Sequence, residues 1–142
     1  MALQSTGSTH WEGTLFEGSG TTTLDSGAAG PLPVTWKARA EEHGSVTSPE
    51  ELIAAAHSAC YSMAFSNALA KNETPATSLD VTATATFVPG TGITTMELTV
   101  VGDVPGISSE DFVALAETAK EGCPVSKALA GNVEITLDAT LA

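Results

Sequence analysis

The side chains here with the most chemistry in them are two thiols, Cys60 and Cys123, and the chain's sole arginine, Arg39. The thiols are far apart in sequence and no C-x-x-C or similar metal-ligand spacing is present, so they read as a redox pair or as two inert residues. A structural disulfide is less in keeping with the chain: Met1 to His10 has no basic or apolar leader pattern, so a cytoplasmic location is expected, where disulfides are usually transient and chemical.

A thiol reacts as its thiolate, and helix position favours Cys123. It stands at or beside the N-cap of a short helix with Pro124 at the first position, whereas Cys60 lies mid-helix and receives almost none of the terminal field. Lowering a thiol from about 8.5 to about 6 takes roughly 3.4 kcal/mol, and a helix terminus supplies about 0.3 to 1. A nearby cation is needed in either case. In a chain of formal charge −12 the forked guanidinium of Arg39 is the natural candidate, although alone it would read as half of a surface ion pair. His57, one turn before Cys60, makes an H-x-x-C that could join Cys123 as three zinc ligands, but no fourth soft ligand is evident. His57 reads instead as a packed or hydrogen-bonded helix residue.

The element that must carry Cys60 is a long helix. Ser48 is placed as its N-cap, Pro49 at the first position, Glu50 and Glu51 in the first turn, and Glu51 closes a capping box with Ser48. An acid at Glu50 has by itself only the meaning of a helix N-terminal charge. The body, Leu52 to Ala70, has no formal charge and is rich in alanine, with Leu52, Ile53, Met63, Phe65 and Leu69 on more than one side, so burial nearly all round is expected. His57, Ser58, Ser62, Ser66 and Asn67 interrupt it and no basic flanks border it, which argues against a membrane span.

Before this helix, Thr9–Glu17 and Gly20–Ser26 read as a hairpin, and Val34–Ala40 as a third strand that places Arg39 opposite Trp36, Ala38 and Ala40. After it, Leu79–Val88 alternates cleanly, Pro89 to Gly92 turns the chain, and Thr94–Val104 returns. Ser108–Glu121 reads as a helix capped by Ser108 or Ser109 and ended by Gly122, followed by the short helix after Cys123 and a last strand, Val133–Leu141. Runs of strands and helices indicate α+β, with a mostly antiparallel sheet and a long central helix, in a single domain over residues 1–142. A small chain has little with which to cover a helix apolar on every side, and a second copy is the simplest cover, so a homodimer is expected. The acidity makes nucleic acid and anionic membranes poor partners.

Taken together, Thr9-His10-Trp11-Glu12-Gly13, Arg39, the segment Pro49-Glu50-Glu51-Leu52 through His57-Ser58-Ala59-Cys60, and Gly122-Cys123-Pro124-Val125-Ser126-Lys127 resemble the osmotically inducible protein C (OsmC) family over essentially the whole chain. The Cys-Pro-Val-Ser stretch and the long N-terminal hairpin look more like its OsmC branch than its organic hydroperoxide resistance branch. The resemblance implies a thiol-dependent peroxidase that prefers organic hydroperoxides and forms an intertwined homodimer with a site at each end of the interface. It implies Cys60 as peroxidatic thiolate, Cys123 as resolving thiol, Arg39 as activating cation and Glu50 as the carboxylate partner of Arg39. The order of the cysteines is the reverse of the one that helix position favours. No metal or organic cofactor is implied, and the implied reductant is a dithiol of the dihydrolipoamide type. A non-catalytic dimer that binds an apolar ligand, both cysteines being inert, and a metal-dependent enzyme are the alternatives.

Overall fold

The structure, a computed structural model, describes residues 1–142, which fall into two compact units, Met1–Leu52 and Ile53–Ala142.

In the first unit, β1 (Gly7–Glu12), β2 (Ser19–Leu24) and β3 (Leu32–Val34) form an antiparallel sheet in that order. Its first two strands are tied by hydroxyl pairs across the ladder, Ser8 with Thr23 at 2.9 Å and Thr9 with Thr22 at 2.8 Å. Gly20 pairs with Trp11 and has to be glycine: a Cβ there would lie 2.7 Å from the Trp11 ring. The first strand stops at Glu12, short of the expected Glu17, because Gly13 takes a φ of +87° and the Gly18 N–H closes a turn onto the Thr14 carbonyl.

The expected third strand, Val34–Ala40, is corrected more deeply. Strand β3 ends at Val34, and Trp36–Ala40 is a short helix, α1, so Arg39 is helical. Thr35 is its N-cap, extended at φ −141° and ψ 160°, with its hydroxyl accepting from the Ala38 N–H at 3.1 Å. Alternation from Val34 to Ala40 suggested a strand, but a Thr cap followed by Trp, Lys, Ala, Arg and Ala is a better helix start.

Helix α2 (Pro49–Lys71) begins at the end of the first unit and runs unbroken into the second. The Ser48 hydroxyl accepts from the Glu51 N–H at 3.1 Å, as expected of the cap. The Glu51 carboxylate, however, takes the Thr47 hydroxyl as its partner. Two short strands' worth of polar chain later, the second unit forms its own sheet from β4 (Ser78–Val88), β5 (Gly92–Asp103) and β6 (Glu134–Leu141), with β5 central. Strands β4 and β5 are antiparallel, while β5 and β6 are parallel, the one such pairing between named strands. Parallel neighbours need a crossover, and α3 (Ser109–Gly122) and α4 (Pro124–Leu129) supply it.

The core of this unit lies between α2, α3 and the sheet. Tyr61, Phe65 and Leu69 of α2 are fully buried with Leu98 and Val100 of β5 and Phe112 and Ala116 of α3. The Phe65 and Phe112 rings meet edge to face at 5.1 Å. Gly102 lets Phe112 lie against β5, since a Cβ there would stand 2.6 Å from the ring. Helix α2 is buried on one face only, in contrast to the all-round burial expected: Ala55, Ala56 and Ala59 are exposed within the chain, and Met63 is 73% exposed. No helix is long and apolar enough to cross a membrane.

Candidate active site

Each unit gathers one part of the chemistry singled out in the sequence. In the first, Arg39 meets Glu50. The guanidinium Nε donates to Glu50 Oε1 at 2.9 Å and Nη2 lies 2.8 Å from the same oxygen. The Glu50 side chain is 6% exposed and that of Arg39 34%, so the carboxylate is a buried anchor that holds a half-open cation. Glu50 can serve this way because Ser48 sets the start of α2 and the adjacent acid, Glu51, is taken up by Thr47. The other carboxylate oxygen, Glu50 Oε2, is buried without a hydrogen-bond partner.

In the second unit, Cys60 and Cys123 are both free thiols in one packed cluster, near enough for each to shift the other's acidity. Their settings differ. Cys123 is fully buried at the joint of two helices, as C-cap of α3 and N-cap of α4, with its N–H on the Ala119 carbonyl and its own carbonyl accepting from Lys127. Burial pushes its thiol up, but the Ser126 N–H, the Cys60 thiol, the Ser126 hydroxyl and the Val125 N–H together outweigh burial and leave it lowered. Cys60 is only partly buried on α2. Its thiol is raised, by burial first and by the proximity of Cys123, against a lowering hydrogen bond from the Val125 N–H. The first N–H groups of α4 thus lower both thiols without a cap bond to the Cys123 side chain, and they start at Val125 because Pro124 has none. The direction agrees with the expectation from helix position.

Three residues around the thiols had no role assigned from the sequence. His57 is fully buried, with Nε2 2.8 Å from the Ser126 hydroxyl, which makes it the hydrogen-bonded helix residue expected; its Nδ1 has no partner. Burial lowers its pKa and so favours the neutral ring. Tyr61 donates its hydroxyl to the Ala116 carbonyl at 3.1 Å, and burial, then Glu117 and Cys123, push the phenol up. Spacing could have pointed to Ser126, three residues after an N-cap cysteine and hence above it in the first turn. A cavity of about 160 Å³ opens beside Ser126, between Lys120 and Lys127. No group of three or more His, Cys, Asp or Glu side chains is arranged to hold a metal ion.

Chemically, one unit presents an oriented cation and the other a pair of thiols, one accessible and one enclosed. Comparison with known proteins bears on this arrangement. The sequence model of the OsmC-like protein family matches residues 42–138. Peroxiredoxin OsmC of Escherichia coli K12 is 42% identical over 97% of this chain and 96% of its own length. The organic hydroperoxide resistance protein OhrA of Bacillus subtilis is 32% identical over 70% of this chain and 72% of its own. Among solved structures, the organic hydroperoxide resistance protein OsmC of Legionella pneumophila superposes with a TM-score of 0.74 at 22% identity, covering 99% of this chain and 98% of that one, a likeness of fold.

Proposed function

The chain belongs to the OsmC-like protein family, and from that premise we propose that it is a cysteine-based peroxidase that reduces hydroperoxides, organic ones in preference to hydrogen peroxide, in defence against oxidative stress. The observation that carries the reading is the placing of a partly buried Cys60 and a fully buried Cys123 in one cluster, each shifting the other's acidity. Cys60 is the less buried of the two, which supports the order Cys60 peroxidatic, Cys123 resolving, even though Cys123 is the one whose thiol is lowered.

The Cys60 thiolate attacks the distal peroxide oxygen; the O–O bond breaks, the alkoxide leaves and takes up the proton that the thiol gave up, so that an alcohol is released and Cys60 becomes a sulfenic acid. Cys123 then displaces the hydroxide to form a disulfide, and a dithiol of the dihydrolipoamide class reopens it by exchange. The raised Cys60 thiol requires a cation to become a thiolate at neutral pH. Arg39, held by Glu50, has the fork to stabilise a thiolate and orient a peroxide together.

Helix geometry favours a shared site. Glu50 and Cys60 are ten residues apart on one unbroken helix, about 15 Å along its axis. In a homodimer of crossing α2 helices, the partner subunit's Glu50 can bring an arginine to Cys60. The exposed small residues Ala55, Ala56 and Ala59 would let the helices approach closely. We place the protein in the cytoplasm, where thiol reductants keep both cysteines free.

The test is consumption of cumene hydroperoxide by the reduced protein with a dithiol reductant. Turnover that disappears in Cys60→Ser is expected. No turnover, with both thiols still open to alkylation after peroxide, would leave the apolar-ligand binding module as the better reading.

A further inference from the structure

The residue that this chemistry leaves without a task is His57, a fully buried imidazole with one nitrogen on Ser126 and the other without a partner. Ser126 in turn stands three residues after Cys123, in the first turn of the helix that Cys123 caps, and its hydroxyl is among the groups that lower the Cys123 thiol. We propose that His57 is a positioning residue for the resolving step, its Nε2–H donating to Ser126 Oγ so that the Ser126 hydroxyl is aimed at the Cys123 sulfur. The proposal rests on the peroxidase reading above and adds to it the group that readies the second thiol.

The tautomer follows from hydrogen-bond accounting. With the proton on Nδ1, a buried N–H would have no acceptor, and Ser126 would have to donate to Nε2, turning its proton away from the sulfur. With the proton on Nε2, only a lone pair at Nδ1 is unmet, and an orphaned acceptor is the more tolerable of the two. Burial keeps the ring neutral, so the directed chain from His57 through Ser126 to Cys123 holds at neutral pH. The nearby titratable groups do not replace it. Tyr61 on α2 is pushed toward its neutral form and its hydroxyl is committed to Ala116. On α3, Glu117, which helps push the Tyr61 phenol up, is paired with Lys120 at 2.7 Å. Glu121 and Lys127 line the cavity beside Ser126 together with Lys120.

In the step served, the Cys123 S–H bond breaks and its electron pair forms the bond to the Cys60 sulfur. The S–O bond of the sulfenic acid breaks, and hydroxide and the thiol proton leave as one water. No further oxidant or reductant enters, because the peroxide has already taken the electrons. A hydroxyl aimed at Cys123 favours its thiolate and so speeds the attack.

The experiment is a thiolate titration of the reduced protein by ultraviolet absorbance, across His57→Leu, Ser126→Ala and His57→Gln, with the lifetime of the sulfenic acid read by dimedone trapping after one equivalent of cumene hydroperoxide. The glutamine amide reproduces a donor at the Nε2 position. His57→Leu and Ser126→Ala should raise the lower thiolate midpoint by about one pH unit and lengthen the sulfenic acid lifetime about tenfold, with His57→Gln close to wild type. Should the leucine variant fail to fold, His57→Asn, whose amide mimics Nδ1 and falls short of Ser126, is expected to behave as the leucine variant would. A midpoint that moves in Ser126→Ala but not on loss of the His57 donor overturns the proposal, as does a glutamine variant displaced as far as leucine. If wild type forms no disulfide with peroxide, the peroxidase reading fails, and the titration still decides whether His57 acts through Ser126.

Discussion

At the scale of single residues, the site sets a buried thiol against an accessible one. The sulfenic acid proposed at Cys60 needs a neighbouring thiol, and Cys123 is near enough to shift the acidity of Cys60. One equivalent of peroxide should therefore give a chain lighter by two hydrogens in non-reducing mass analysis, and Cys123→Ser should instead gain oxygen. A wild-type chain that only gains oxygen would exclude Cys123 as resolving thiol. For Arg39→Ala, the alkylation rate of Cys60 at neutral pH should fall about tenfold, equivalent to about one pKa unit, with the far-ultraviolet spectrum unchanged. An unaltered pH–rate profile would remove Arg39 from the site. His57 also predicts a pH dependence of stability. Its folded pKa lies below the ordinary 6.5, so the unfolded chain takes up the proton first as pH falls. Its contribution is full above about pH 6.5 and is lost as pH drops from there through the folded value. Urea midpoints should decline over that window and decline less in His57→Gln. At this scale the two cysteines and Arg39 stood out by residue type, while Glu50 as the partner of Arg39 came only from the family resemblance, and the two side chains do meet. Helix position and the groups at the start of α4 point the same way for the Cys123 thiol, downward. What spacing could not give was the His57–Ser126 bond, a contact between α2 and α4 that no local pattern encodes.

At the scale of elements, the strands and helices with caps and clean alternation were readable, and errors fell where two local patterns fit one stretch. Ser108 caps α3, its hydroxyl accepting from the Asp111 N–H at 3.1 Å, as the sequence offered. Strands β4 and β5 follow their alternation to within a residue or two at each end. The stretch after Val34 was misjudged because period two over a few residues also suits a short capped helix, and the Thr35 cap decided the matter. Gly122 was expected to end α3 and is its last residue, and the chain turns at Cys123, which serves both helices as cap. That joint puts the thiol at the first turn of α4. The parallel placement of β6 beside β5 was invisible to periodicity, which is the same for either direction. Packing gives the element-scale prediction. Gly102→Ala would drive a methyl into the Phe112 ring, so it should destabilise the protein by about 1 to 3 kcal/mol, read as a lowered urea midpoint at constant slope. A neutral substitution would mean that Phe112 and β5 are less closely packed than the 2.6 Å approach implies.

At the scale of the whole molecule, the question is what covers the outer face of α2. His57, Tyr61, Phe65 and Leu69 recur every four residues and fill the inner face. The outer face carries Ala55, Ala56, Ala59 and a largely exposed Met63, apolar side chains small enough for another backbone to approach. The sequence showed that this helix had apolar residues on more than one side, and the half left open within one chain accords with the proposed homodimer. If α2 meets its own copy antiparallel, each Cys60 is served by the partner subunit's Glu50, which holds an arginine against it. A Cys60→Ser chain and a Glu50→Ala chain should then each be inactive or nearly so as homodimers. In a heterodimer made by mild unfolding and remixing, one site lacks both groups and the other has both. A random mixture of equal parts contains about half heterodimer by simple two-fold statistics, each with one of two sites intact, so about a quarter of wild-type peroxide turnover should return. Sites confined to single chains give the opposite result: every site in the heterodimer then lacks either the thiol or the carboxylate, and proven heterodimers would regain nothing.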